Sequence, residues 1–207
     1  MLKLGEYNVL EIVRERDQGV YLSDDDGNEV LLPNKYVPEH FHIRDKLKVF
    51  LYLDSEERIV ATNLEPYVTV NSFGYLKCTS VSDIGAFLDW GLEKNLFVPF
   101  KEQASKMRVG SWYLVYVYID EKTDRLVASS KTNAFLDNSL VLLSSYDQVD
   151  LIASHPSPHG WNMIVNQKYL GLIYSDEIFQ KITVGDELKG YIKKVRPDGK
   201  IDLTLQR

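Results

Sequence analysis

Phe87 and Phe97 are the residues of this chain best placed to do chemistry, and the chemistry is stacking. Each sits inside a short apolar run, Gly85-Ala86-Phe87-Leu88-Asp89-Trp90-Gly91 and Leu96-Phe97-Val98-Pro99-Phe100-Lys101-Glu102. Strand alternation puts Ala86, Leu88, Leu96 and Val98 on one face and the two phenylalanines on the other. A turn centred near Leu92 then brings the rings side by side on an antiparallel pair. Such a flat platform stacks nucleic-acid bases whatever their sequence, at about 1–3 kcal/mol per base. Lys77, Lys94, Lys101 and Arg125 are the cations expected around it, where they would meet phosphates. Two other readings of the phenylalanine face stay open: it packs against a neighbouring module, or it fills the interior of its own.

Other chemistries find no support in the residue spacing. His155 and His159 are separated by Pro156 and Pro158, a loop pattern, and neither they nor His40 and His42 have cysteines or carboxylates at ligand spacing. Asp24-Asp25-Asp26-Gly27-Asn28 resembles the start of a calcium loop, but Lys35 stands where its closing acid belongs. The stretch therefore reads as a hairpin turn. Glu56 and Glu57 sit in a turn as well and do not form the paired carboxylates of a hydrolase. No phosphate-cradling glycine loop or nucleophile elbow is present, so no metal, cofactor or enzymatic activity is expected. Cys78 lies in an alternating apolar stretch and reads as a small buried thiol.

The strands that must hold these residues come as a repeat. One order of pieces recurs about every 65 to 75 residues. It comprises an opening strand, a glycine-led apolar strand, a third short strand, a brief helical turn, and two strands joined by an acidic turn. In the second copy the pieces are Gly74 to Val81, Gly85 to Leu88, Leu96 to Pro99, Trp112 to Ile119 and Arg125 to Ala128. The glycine-led strands of the other copies begin at Gly19-Val20-Tyr21-Leu22 and at Gly160. Their acidic turns are Asp54-Ser55-Glu56-Glu57 and Pro197-Asp198-Gly199. This is the order of a five-stranded Greek-key OB barrel. The expected fold is all-β: three tandem S1/OB-type barrels at 1–66, 67–137 and 138–207. Thirteen tyrosines and eight phenylalanines, among abundant Val, Ile and Leu, suit that choice.

The copies differ where it matters. The first keeps Tyr21 at the aromatic position but has Leu31 opposite, and it carries most of the acidic excess behind the net charge of −6. It reads as a structural or protein-contact module. The third has Asn162 at that position, with Trp161 and Tyr174 close by. Its last hairpin alternates basic and apolar residues, so Tyr174, Lys193, Lys194 and Arg196 are further candidates for RNA. The alternation fits a phosphate-tracking strip or a merely solvated face equally well. Between the second and third copies, residues 133–146 include Leu140-Val141-Leu142-Leu143, too apolar for a free linker and expected to pack at a junction between barrels.

The Gly, small, aromatic, aliphatic phrase around Phe87 resembles the S1 RNA-binding family, and Trp90 within it is counted among the RNA-facing aromatics. Four phrases go further: Phe87-Leu88-Asp89-Trp90-Gly91, Val98-Pro99-Phe100-Lys101-Glu102-Gln103, Gly171-Leu172-Ile173-Tyr174 and the run from Gly190 to Leu203. Together they resemble the bacterial conserved virulence factor B family, most strongly in the second and third copies and weakly in the first. The resemblance implies an RNA-binding regulatory protein of three S1-like barrels. It also implies a following winged helix, which would begin where this chain ends.

The expectation is thus a cytoplasmic protein that grips single-stranded RNA. The competing expectation is an adaptor whose barrels dock on transcription or translation machinery. Oligosaccharide binding rests on fold analogy alone. No run approaches the roughly 18 apolar residues of a membrane span.

Overall fold

A computed structural model describes all of residues 1–207. It contains three closed five-stranded barrels and, outside them, only short 3-10 turns. Barrel 1 comprises β1 (Tyr7–Arg16), β2 (Gly19–Ser23), β3 (Glu29–Pro33), β4 (Lys46–Leu53) and β5 (Ile59–Thr62). Barrel 2 comprises β6 (Ser72–Val81), β7 (Gly85–Asp89), β8 (Leu96–Pro99), β9 (Trp112–Ile119) and β10 (Leu126–Ser129). Barrel 3 comprises β11 (Gln148–Ser157), β12 (Gly160–Val165), β13 (Tyr169–Tyr174), β14 (Glu187–Val195) and β15 (Ile201–Thr204). In each, the first three strands form an antiparallel meander, the third pairs in parallel with the fifth, and the fourth closes the ring.

Two local devices recur at equivalent places. The opening strand carries a bulge between Ile12 and Arg14, between Cys78 and Ser80, and between Ala153 and His155. A bulge bends the strand, so that its two halves can serve different neighbours around the barrel. The second strand opens on Gly19, Gly85 or Gly160, each so close to the third strand that a β-carbon would land on the carbonyl oxygen of Leu32, Val98 or Ile173. This contact explains the glycine of the repeated phrase: only a residue without a side chain lets the hairpin close. Gly85→Ala is accordingly expected to destabilise barrel 2 by about 1–3 kcal/mol, read as a lowered urea midpoint.

The chain forms two compact units. The first holds barrel 1 with Leu76–Ser111 and Val117–Ser129. Leu10, Ile12, Val20, Leu22, Leu32, Val49 and Leu51 fill barrel 1. Its β4 is buried on both faces: Val49 and Leu51 point inward, while Phe50 turns outward, wholly enclosed, and meets the edge of Trp90 at 5.6 Å. In the second unit, Val149, Leu151, Met163, Ile173, Ile192 and Leu203 fill barrel 3, and Val141 and Leu143 pack against them. A smaller cluster joins Phe73 and Leu114 to Ile152 and Ile164, with Phe135 and Leu136 at its margin. Asn138 fastens the intervening strap by donating to the carbonyls of Leu170 and Gly199 and accepting from the Leu170 amide. The apolar strap is therefore packed along much of its length, although Leu140 and Leu142 face outward.

One local expectation is corrected. His155 and Pro156 belong to strand β11 and not to a loop; Pro156 pairs with Trp161 at the hairpin end. A proline is tolerated there because β14 pairs only with 148–152, leaving no neighbour on that side to need its missing N–H.

Candidate nucleic-acid interface

In barrel 2, β7 and β8 pair Ala86 with Val98, Phe87 with Phe97 and Leu88 with Leu96. The four aliphatic partners are at most 2 % exposed and occupy the interior. Phe87 and Phe97 are half-buried on the outer face, ring centroids 5.3 Å apart and planes 35° apart. The rest of the face is ordered by polar contacts: Thr79 donates to the Phe87 carbonyl, and the Asn95 amide donates to Thr79 at 2.8 Å.

The rings open onto a cleft of about 130 Å³ within the first unit. Its opposite wall is the β4–β5 hairpin of barrel 1, contributing Tyr52, Leu53 and Glu57. Burial, with the nearby Tyr36 and Glu93, pushes the Tyr52 phenol up to about 12, so it stays neutral and able to donate. Arg125 lines the cleft and forms an ion pair with Glu57. Lys94 also lines it and donates to the Asp54 carbonyl at 2.8 Å.

The sequence candidates thus divide. Phe87, Phe97, Lys94 and Arg125 converge on one cleft, which Trp90 also borders. Lys77 and Lys101 are exposed, Lys77 opposite Asp89 in the strand register and Lys101 on the turn Phe100–Glu102, and neither lines it. Trp90 is corrected: it is 2 % exposed, its indole N–H donates to the Lys94 carbonyl at 2.8 Å, and its ring is taken by Phe50. It shapes the β7–β8 turn and, although it borders the cleft, exposes too little of its ring to stack a base. Tyr52 went unnoticed in the sequence, although Val49-Phe50-Leu51-Tyr52 signalled it, and Glu57 was read only as a turn residue. An uninterrupted apolar strand is one covered on both sides.

The equivalent faces of the other barrels are built differently. In barrel 1 the Arg14 guanidinium sits 4.4 Å over the Tyr21 ring and pairs with Glu29, so that aromatic is already occupied. In barrel 3, Asn162 faces Leu172 and its amide meets the His155 ring at 3.0 Å. A wider cavity of about 540 Å³ beside it is lined by Tyr174, Arg196 and Asp202. Arg196 donates to Asp202 at 3.0 Å and to the Tyr174 hydroxyl at 2.6 Å. Lys193 pairs with Glu177, and Lys189 with Asp150, while Lys194 is exposed opposite Asp202 in register. The basic strip of β14 is thus largely matched by acids of its own barrel.

Three closed five-stranded barrels with glycine-led second strands define a tandem array of S1/OB-type modules. The sequence model of the S1 domain family matches residues 4–64, which is barrel 1, where the resemblance read from sequence was weakest. That barrel keeps the Gly-Val-Tyr-Leu phrase even though Arg14 covers its aromatic. The uncharacterized protein YitL of Bacillus subtilis is 33% identical over 219 residues, spanning 99% of this chain and 70% of that protein. The chain belongs to the family of YitL. A crystal structure of a multidomain protein with nucleic acid binding domains from Streptococcus pneumoniae TIGR4 shares the fold with a TM-score of 0.54 at 21% identity, over 99% of this chain and 74% of that one. No helix is long and apolar enough to cross a membrane.

Proposed function

We propose that this chain is a regulatory RNA-binding protein, with 1–66, 67–137 and 138–207 as its modules, and that barrel 2 grips single-stranded RNA. The observation that carries the reading is the Phe87–Phe97 pair on the outer face of a barrel whose interior is already filled. Such rings are not needed for the core, and they lie beside Lys94 and Arg125, which can meet phosphates. The S1 match, the nucleic acid binding domains named for the pneumococcal protein and the resemblance to the virulence factor B family support the same reading. Binding rather than catalysis is the activity proposed, and the cytoplasm is the proposed location.

The test is fluorescence anisotropy of labelled U-rich and A-rich single strands at rising salt. Both are expected to bind, because stacking is tolerant of sequence. The logarithm of affinity should fall with the logarithm of salt at a slope near −0.7 per phosphate engaged. Binding that is absent at low salt, or indifferent to salt, rejects the reading. The adaptor alternative is favoured by one observation: Leu140, Leu142, Tyr146 and Phe179 are all more than two-thirds exposed. It gains ground if RNA binds weakly and the phenylalanines do not matter.

A further inference from the structure

The β4–β5 hairpin of barrel 1 does more than wall the cleft. Its turn, Asp54-Ser55-Glu56-Glu57, engages both cations that line the platform: Glu57 through its carboxylate on Arg125, and Asp54 through its main-chain carbonyl on Lys94. Two oxygens on one turn, a few residues apart, thus occupy the two groups that would otherwise meet phosphate oxygens. We propose that this hairpin is an autoinhibitory mimic of the RNA backbone, with Glu57 as the residue that sets how tightly barrel 2 binds. The inference rests on the platform reading above and adds to it a competitor carried by the chain itself.

The contact is suited to being displaced. Arg125 and Glu57 are each about half exposed, and Lys94 is exposed, so these interactions are screened and weak. They are strong enough to order the side chains but not to exclude a polyanion that offers several phosphates at once. Displacement leaves Glu57 without its partner, facing an incoming phosphate of the same sign. A free carboxylate recovers a counterion from solution, offsetting one of those released from RNA. The competitor therefore lowers affinity and flattens the salt dependence together, two effects that mere loss of a contact would not couple.

Glu56 provides the internal control. It is the neighbouring acid of the same turn, carries the same charge, and pairs with Arg58 of its own barrel rather than with Arg125. The experiment measures single-stranded RNA affinity at several salt concentrations for the wild type, Glu57→Gln, Glu56→Gln and Phe87→Ala/Phe97→Ala, all checked for folding by circular dichroism. Glu57→Gln is expected to bind about 2- to 5-fold tighter at low salt, with a salt slope steeper by up to about one counterion. Glu56→Gln is expected to shift affinity by less than about 2-fold, as a screened charge outside the contact should. Equal tightening by both glutamine variants reduces the effect to net charge and overturns the inference. So does a Glu57→Gln variant that binds like the wild type while the phenylalanine variant fails. If instead the phenylalanine variant binds normally, it is the platform reading that falls.

Discussion

Phe87→Ala/Phe97→Ala is expected to weaken binding of single-stranded RNA about 100-fold while barrel 2 stays folded. Each aromatic that stacks a base contributes about 1–3 kcal/mol, and a loss near 2.7 kcal/mol is a factor of about 100. The figure is set below two full contributions for a geometric reason. With planes 35° apart, a base lying flat on one ring meets the other at an angle, so the two contributions do not add in full. The single alanine variants should each lose about 30-fold, so that their summed loss exceeds that of the double, because the rings touch. Phe87→Tyr/Phe97→Tyr keeps two π-faces and should bind within a few-fold of the wild type. Anisotropy measures the affinities, and a urea melt of each variant separates lost contact from lost structure. A folded double variant with unchanged affinity would mean that the rings serve packing alone.

The second large effect concerns a residue almost wholly buried beside the cleft. Trp90→Ala is expected to cost about 3–5 kcal/mol of stability, since an almost fully enclosed aromatic leaves a cavity that its neighbours fill only in part. Phe50 is the neighbour most affected, because it lies outside the barrel 1 core and depends on Tyr7 and Trp90 for cover. Trp90→Phe retains a ring against Phe50 but forfeits the donation to the Lys94 carbonyl and part of the indole's volume, so its cost should be about 1–3 kcal/mol. Urea midpoints order the three proteins. RNA affinity gives a second readout: Trp90→Phe loosens the turn that carries Lys94 and should weaken binding without touching the platform. A midpoint for Trp90→Ala equal to the wild type would show that Phe50 finds cover elsewhere.

Much of the architecture was readable from local pattern. Strands Lys46–Leu53, Leu96–Pro99, Trp112–Ile119, Gly160–Val165 and Glu187–Val195 begin and end where alternation and turn residues place them. The Phe87–Phe97 pairing followed from two short strands and the turn between them, all within residues 85–99. The failures share a cause of the opposite kind. Trp90 looked like a surface aromatic because its partner, Phe50, lies 40 positions earlier on another barrel. Arg125 looked free because Glu57 is more remote still, and the strip from Lys189 to Arg196 looked uniformly basic because Asp150, Glu177 and Asp202 come to it from other elements. Periodicity reports which face a residue occupies, but not what covers that face.

The parallel seam between third and fifth strands has a mechanical consequence. In barrel 3 it is formed by three residue pairs, Gly171 with Ile201, Leu172 with Asp202 and Ile173 with Leu203. In barrels 1 and 2 it narrows to one, Leu31 with Val60 and Phe97 with Val127. Main chain held by so few bridges can part in small excursions that leave the core shut, whereas a densely bridged edge opens only with the whole body. Phe97 stands on that single bridge. The Phe97–Val127 edge at the floor of the cleft is therefore expected to exchange its amide hydrogens faster than the three-pair edge of barrel 3.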